Sequence, residues 1–85
     1  DDEGVLFDIF PNPFSDRATV RFTGEGGFRP RTLELFSVDG ARIRTMVIPA
    51  GISEVEIDGG DLPKGIYYVR VTSGRESSAR KAVRN

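Results

Sequence analysis

The chain has 85 residues, a net charge of −1 and a pI near 5.4, so it forms one domain and lacks the basic character of a nucleic-acid-binding protein. It contains no cysteine, which excludes disulfides and thiolate metal sites, and no histidine, the usual general base of enzymes. These two absences indicate that the chain is not an enzyme and that it holds no cofactor.

Apolar and polar residues alternate along most of the chain, and this period of two indicates β-strands rather than helices. We predict seven short strands: Val5–Ile9, Ala18–Thr23, Thr32–Phe36, Arg42–Ile48, Ile52–Ile57, Ile66–Val71 and Ser78–Arg84. The glycine-rich run Gly24–Gly27 is predicted to be a loop. Asp39 and Gly40 predict a tight hairpin turn, because such turns need residues that tolerate positive φ.

Short strands at regular spacing are typical of a β-sandwich or barrel. We therefore predict an all-β fold, an immunoglobulin-like antiparallel β-sandwich of about seven strands with Greek-key topology. The whole chain, residues 1–85, is expected to be one domain in which residues 1–4 are the remnant of a linker. The apolar faces of the strands predict that four side chains are buried: Leu35, Val55, Tyr67 and Val69. Leu62, which lies in a turn, is expected to fill the core as well.

The segment from Phe10 to Phe14 contains two prolines around Asn12. Each proline fixes its own φ and keeps the preceding residue extended, so the segment is predicted to form a rigid corner between strands. Phe10 and Phe14 are expected to pin this corner to the core from either side. A stiff connection of this kind needs no ligand, and we keep that structural interpretation beside a functional one.

Gly65 and Tyr67 stand at the start of the most strongly alternating strand. A glycine allows a tight turn into the strand, and a buried tyrosine can then donate a hydrogen bond back to the preceding loop. This arrangement is similar to the tyrosine corner of Greek-key sandwiches, and it predicts a structural role for Tyr67.

The acidic residues lie mainly at predicted turns, where aspartate caps backbone groups. The turn Asp58–Asp61 could offer loop oxygens to calcium, but it lacks the ligand spacing of an EF-hand. Stacking on a sugar would need exposed aromatic rings, and the chain contains no tryptophan. The chain contains no G-x-S-x-G nucleophile elbow.

Charge is unevenly distributed along the chain. Residues 1–63 carry a net charge of −6, whereas residues 64–85 carry +5. A basic end can bind an acidic partner, or basic strands can simply face acidic ones within one balanced surface. No run of residues approaches the ~20 apolar positions of a membrane-spanning helix, so we interpret the chain as a module of a longer protein that does not span the membrane.

Several motifs follow one another in a specific order. They are Phe10–Phe14 with its Pro-Asn-Pro core, Phe36 followed by Gly40, Leu62 followed by Gly65 and Tyr67, and a last strand that contains Lys81. In this order they resemble the type A C-terminal sorting domain of the type IX (Por) secretion system of Gram-negative bacteria. One departure is that Ala41 separates Gly40 from the basic Arg42.

The resemblance implies an immunoglobulin-like fold and a role as a sorting signal for a cargo protein in the same chain, with a secreted hydrolase as one candidate cargo. It implies an outer-membrane translocon and a sortase-like protease as partners, and a destination outside the cell or on its surface. The residues it assigns to recognition are Pro11, Asn12, Pro13, Phe14, Gly40, Gly65, Tyr67, Lys81, Val83 and Arg84.

Two other functions fit the same sequence. One is a carbohydrate-binding or fibronectin-like accessory module of an extracellular hydrolase. The other is an immunoglobulin-like spacer, such as the domain of flagellar hook-capping proteins, which carries a similar Asn-Pro-Phe and Gly-x-Tyr pattern. For the sorting function, the sequence predicts that the translocon pairs with the final basic strand, where Lys81 and Arg84 would steer it electrostatically.

Overall fold

A computed structural model of the chain describes residues 5–23 and 29–85. Within these ranges the structure is all-β and contains no helix. The strands are β1 (Phe7–Phe10), β2 (Arg17–Phe22), β3 (Arg31–Ser37), β4 (Arg42–Ile48), β5 (Glu54–Asp58), β6 (Gly65–Ser73) and β7 (Glu76–Arg84). The predicted loop Gly24–Gly27 and the predicted linker remnant at residues 1–4 lie outside the described residues.

The seven strands form two antiparallel sheets. One sheet has the order β1-β2-β5, and the other has the order β4-β3-β6-β7. Strands β1, β2 and β5 thus share one sheet, and β3, β6 and β7 share the other together with β4. This is the arrangement of an immunoglobulin-like sandwich. The predicted all-β sandwich of seven strands is confirmed.

The core lies between the two sheets and consists of the inward faces of the strands. In β6, Tyr67, Val69 and Val71 are buried while Ile66 and Tyr68 are exposed, as the alternation predicts. Each fully buried valine removes an apolar side chain from water, which is worth roughly 1.5–3 kcal/mol.

Two details of the predicted core differ in the structure. Leu35, Tyr67, Val69 and Leu62 are buried as expected, but Val55 is only partly buried at the side of the core. Val55 belongs to β5, which is one of the two edge strands of the three-stranded sheet, so fewer neighbours cover it. This strand also begins later than predicted, at Glu54 rather than Ile52.

A charged side chain, Arg31, completes the core at the start of β3. It is 6% exposed, its Nη1 donates to the carbonyl oxygen of Ile52 at 3.0 Å, and its guanidinium stacks 4.3 Å from the ring centroid of Phe22. The arginine therefore joins β3 to the segment before β5 by a hydrogen bond, and to β2 of the other sheet by a cation–π contact.

Candidate functional site

Asn12 is hydrogen-bonded to the outer edge of β7, the last strand of the four-stranded sheet. Its Nδ2 donates to the carbonyl oxygen of Lys81 at 2.9 Å, and its Oδ1 accepts the backbone N–H of Val83 at 3.0 Å. One side-chain amide thus supplies the donor and the acceptor that a neighbouring strand would otherwise offer.

Phe14 extends this contact along the same edge. Its N–H donates to the carbonyl oxygen of Val83 at 2.8 Å, and its carbonyl oxygen accepts the N–H of Asn85 at 2.8 Å. Its ring is 2% exposed and belongs to the core. We call residues 12–14 the clamp, because they hold the C-terminal half of β7 against the sandwich.

Pro11 and Pro13 are exposed on either side of Asn12, and the peptide bonds that precede them are both cis. The prediction that Phe10 also pins the segment to the core is wrong. Phe10 is 38% exposed, and the guanidinium of Arg21 lies 4.8 Å from its ring centroid. The inward positions of the short strand β1 belong to Phe7 and Ile9, which leaves Phe10 on the outer face.

Arg84 lies beside the clamp and is partly buried rather than freely exposed. Its Nε donates to the carbonyl oxygen of Gly59 at 2.9 Å. Gly59 in turn donates its N–H to the carbonyl oxygen of Asp16 at 2.7 Å. Arg84 therefore stabilises the turn between β5 and β6, which differs from the expectation that it serves only as a surface charge.

Gly59 is a residue that sequence reasoning missed. It is buried in the turn after β5, directly against the ring of Phe14. The only signal in the sequence is the glycine pair at 59 and 60, which indicates a turn without indicating a close contact with a distant aromatic ring.

Tyr67 forms the predicted tyrosine corner. Its side chain is 5% exposed, and its hydroxyl donates to the carbonyl oxygen of Pro63, four residues upstream. Gly65, at the start of β6, has a φ of +147°, a conformation that side chains rarely adopt. Both residues thus position the entry into β6.

Gly40 closes the hairpin between β3 and β4, as predicted. Its φ is +90°, and its N–H donates to the carbonyl oxygen of Ser37 at 3.0 Å. A hydrogen bond from the hydroxyl of Ser37, followed by backbone hydrogen bonds, lowers the pKa of the Asp39 carboxyl below its usual value. The turn is therefore held by local polar contacts.

The strand register brings most of the predicted residues to one end of the four-stranded sheet. Ser37, just before the hairpin turn, pairs with Tyr67, and Gly65 pairs with Arg84. The clamp lies along the same end of β7. Motifs that are far apart in the sequence therefore form one structural unit.

Lys81 and Val83 project from the outer face of this sheet, opposite Tyr68 and Ile66 respectively. Tyr68 is 39% exposed and Ile66 is 40% exposed, so an apolar strip lies next to the Lys81 ammonium. The Lys81 side chain is exposed, and no carboxylate in residues 5–23 and 29–85 forms an ion pair with it.

Glu34 is the acidic centre of the same outer face. Arg70 Nη2 lies 2.8 Å and Arg42 Nη1 lies 3.3 Å from its carboxylate oxygens. The hydrogen bond from Arg70 is the main reason that the pKa of this carboxyl lies below its usual value of 4.5. Arg70 also stacks 5.0 Å from the ring centroid of Phe36.

The turn Asp58–Asp61 uses its acidic groups within the protein. Asp58 Oδ1 accepts the N–H of Gly60 at 3.1 Å, and Asp61 pairs with Arg44 Nη2 at 2.5 Å. No group of three or more potential metal-ligating side chains occurs in the part of the chain that the structure describes. The geometry thus gives no support to a calcium site in this turn.

None of the described residues belongs to a helix of the length and apolarity needed to cross a membrane.

A protein-family model described as a secretion system C-terminal sorting domain matches residues 8–85. No curated protein matches the chain. The matched range includes the clamp, the turns at Gly40 and Gly65, the tyrosine corner and all of β7.

Proposed function

Because the chain belongs to the family of secretion system C-terminal sorting domains, we propose that it directs a cargo protein in the same chain across the outer membrane by the type IX system. The match over residues 8–85 carries this proposal. The family is one of sorting domains rather than of catalytic domains.

The proposed partners are the outer-membrane translocon and a sortase-like protease of the same system. In this proposal the cargo, for which a secreted hydrolase is one candidate, crosses the inner membrane with its own leader and reaches the periplasm. The translocon then recognises the folded domain, and the protease separates it from a cargo that is released or attached to the cell surface. The clamp supports this proposal, because it holds the C-terminal half of β7 in one defined conformation.

The recognised surface is proposed to be the end of the four-stranded sheet where the motifs meet. Lys81 offers an exposed charge there beside an apolar strip, which suits recognition by an acidic partner. Arg84 contributes to the fold at this end, since its Nε donates a hydrogen bond to the carbonyl oxygen of Gly59. A charge reversal at Arg84 would thus disturb the fold as well as the surface.

The proposal is tested with a secreted reporter that carries residues 1–85 at its C-terminus, expressed in a host with a type IX system. The fused reporter should reach the cell surface or the medium, while the same reporter without residues 1–85 should stay in the periplasm. A fused reporter that is folded and intact but remains in the periplasm would contradict the proposed function.

The role of Lys81 is tested with Lys81→Glu, compared with Arg75→Glu as the control. Both side chains are exposed, but Arg75 lies in the turn between β6 and β7, at the opposite end of the sheet from the clamp. Lys81→Glu should reduce export and Arg75→Glu should not, with both variants folded by circular dichroism. Equal export of the two variants would show that the translocon does not recognise the charge of Lys81.

A further inference from the structure

The outer edge of β7 is closed by the clamp over only half of its length. In an antiparallel pair, successive residues direct their backbone groups alternately toward the partner strand and away from it. Since Val83 directs its N–H and its carbonyl oxygen away from β6 and toward the clamp, Ala79 and Ser77 also face away from β6. No residue within 5–23 and 29–85 forms a hydrogen bond with these outward groups of Ala79 and Ser77.

The edge of β1 is open in the same way. The carbonyl oxygen of Leu6 accepts the N–H of Thr23 at 2.9 Å, so Phe7 and Ile9 direct their backbone groups away from β2. The carbonyl oxygen of Phe7 accepts Arg80 Nε at 2.8 Å, which agrees with this alternation. In the described part of the chain, the backbone N–H and carbonyl oxygen of Ile9 have no such partner.

A groove of about 530 Å³ separates these two open edges. One wall consists of Asp8, Ile9 and Phe10, and the other consists of Ala79, Arg80 and Lys81. We call this groove the edge slot. Its volume lies within the roughly 300–1,000 Å³ of typical ligand pockets, so it has room for a short segment of chain.

Two side chains cross the gap between β1 and β7 at the edge slot. Arg80 reaches the carbonyl oxygen of Phe7, and Asn12 reaches the carbonyl oxygen of Lys81. A segment that enters the slot therefore meets the outward backbone groups of Ile9 and Ala79 beside the fixed side chains of Arg80 and Asn12. An extended peptide is the ligand that can satisfy backbone donors and acceptors on two strand edges at once.

The charge of the edge slot specifies the kind of peptide. Arg80 and Lys81 form no ion pair with a carboxylate in the described residues, and Asp8 is the one acidic residue among those that line the slot. The lining therefore carries a net positive charge, which favours acidic side chains on the bound segment.

We propose that the edge slot binds an extended acidic segment of a partner protein, which adds as a strand between β1 and β7. The backbone of this segment pairs with Ala79 on one side and with Ile9 on the other, and its carboxylates lie near Arg80 and Lys81. The inference rests on the proposed function, because it identifies the chemistry by which the secretion machinery holds the domain.

The binding test uses the ¹⁵N-labelled 85-residue chain and a synthetic peptide, acetyl-Glu-Val-Glu-Val-Glu-amide, followed by NMR. We expect saturable shifts of the backbone amides of Ile9 and Ala79. The peptide in which lysine replaces each glutamate is the control and should leave these amides unshifted. Equal shifts with both peptides, shifts only elsewhere, or no shift at millimolar peptide would overturn the proposal. Shifts of the same amides that depend on protein concentration alone would assign the slot to a second copy and would also overturn it.

The variant Ala79→Pro removes the outward N–H of Ala79 and should weaken the acidic peptide about tenfold, as expected for a lost hydrogen bond. Glu56→Pro is the matched control. The carbonyl oxygen of Ser53 accepts the N–H of Phe22 in β2, so the alternation directs the backbone groups of Glu56 away from β2. Proline is tolerated at such edge positions. If Ala79→Pro proves unfolded, Lys81→Glu replaces it and should weaken the same peptide. Unchanged affinity in a folded variant would contradict the proposal.

Export separates this inference from the function on which it rests. A reporter fused to the wild-type domain and one fused to Ala79→Pro are compared in the type IX host. Loss of export by the folded Ala79→Pro variant alone supports the edge slot as the recognised site. Export of both fusions would overturn the edge slot and leave the sorting function intact, whereas export of neither would overturn the sorting function.

Discussion

The ring of Phe14 occupies the space in which a side chain at Gly59 would lie. A Cβ atom at Gly59 would overlap Cε2 of this ring, while the backbone of Gly59 is fixed by its bonds to Asp16 and Arg84. Glycine is thus required at this position for close approach. The contact joins the clamp, the turn after β5 and the end of β7.

We predict that Gly59→Ala destabilises the domain, because the added methyl group must displace the Phe14 ring from the core. Overpacking of this kind costs about 1–3 kcal/mol, to be measured as the free energy of unfolding in urea. Gly60→Ala is the control, since a Cβ there would lie 3.5 Å from Asp58 Oδ1 in ordinary contact. Equal stability of the two variants would contradict the packing described for Gly59.

Tyr67→Phe should lower the free energy of unfolding by about 0.5–1.5 kcal/mol, the value of a typical hydrogen bond. The variant loses only the hydroxyl that donates to Pro63. Tyr68→Phe is the matched control on the next residue, because the Tyr68 side chain is exposed on the outer face. Thermal and urea unfolding should separate the two variants, and a wild-type stability of Tyr67→Phe would exclude the tyrosine corner as a stabilising contact.

Val69→Ala should cost about 1–3 kcal/mol through lost burial and an unfilled cavity. Val69 is 0% exposed, whereas Val47, in β4, is 70% exposed. Val47→Ala removes the same two carbon atoms from the surface and should change stability by less than about 0.5 kcal/mol. If both variants melt at the wild-type temperature, the assignment of the inward face of β6 is wrong.

The carboxyl of Glu34 should titrate below 4.5, because Arg70 stabilises its charged form. A carboxyl with a lowered pKa in the folded state stabilises the fold above the pKa of the unfolded chain. This contribution is lost as the pH falls through the lower, folded value. Arg70→Ala should raise the pKa of Glu34, as measured by NMR of its side-chain carbon, and Arg75→Ala should leave it unchanged. An unchanged pKa in Arg70→Ala would contradict the ion pair.

The strands and the tyrosine corner could be predicted from the sequence because their signals are local. Alternating apolar residues determine the buried face of β6, and Gly65 with Tyr67 lies within a few residues of the Pro63 carbonyl that Tyr67 contacts. The Pro-Asn-Pro segment likewise predicted a connection between strands, and it lies between the end of β1 at Phe10 and the start of β2 at Arg17. In each case the relevant partners are close in the sequence.

The contacts of the candidate site could not be predicted, since they depend on register and on partners far away in the sequence. Asn12 contacts Val83 at a separation of 71 residues, and Arg84 contacts Gly59 at a separation of 25. No local pattern distinguishes such an arginine from an exposed one. Phe10 was misplaced for a related reason, because its direction depends on which residues of the short strand β1 face the core.

The clamp also relates the structure of the domain to the order in which the chain is synthesised. Asn12 is made 69 residues before Lys81 and 71 residues before Val83, so its amide has neither partner until those two residues have been synthesised. Contacts that close such long loops also form late in folding. A chain that is truncated before Val83 therefore lacks the clamped β7, and a partner that binds only the clamped form would distinguish it from a chain that contains the whole strand.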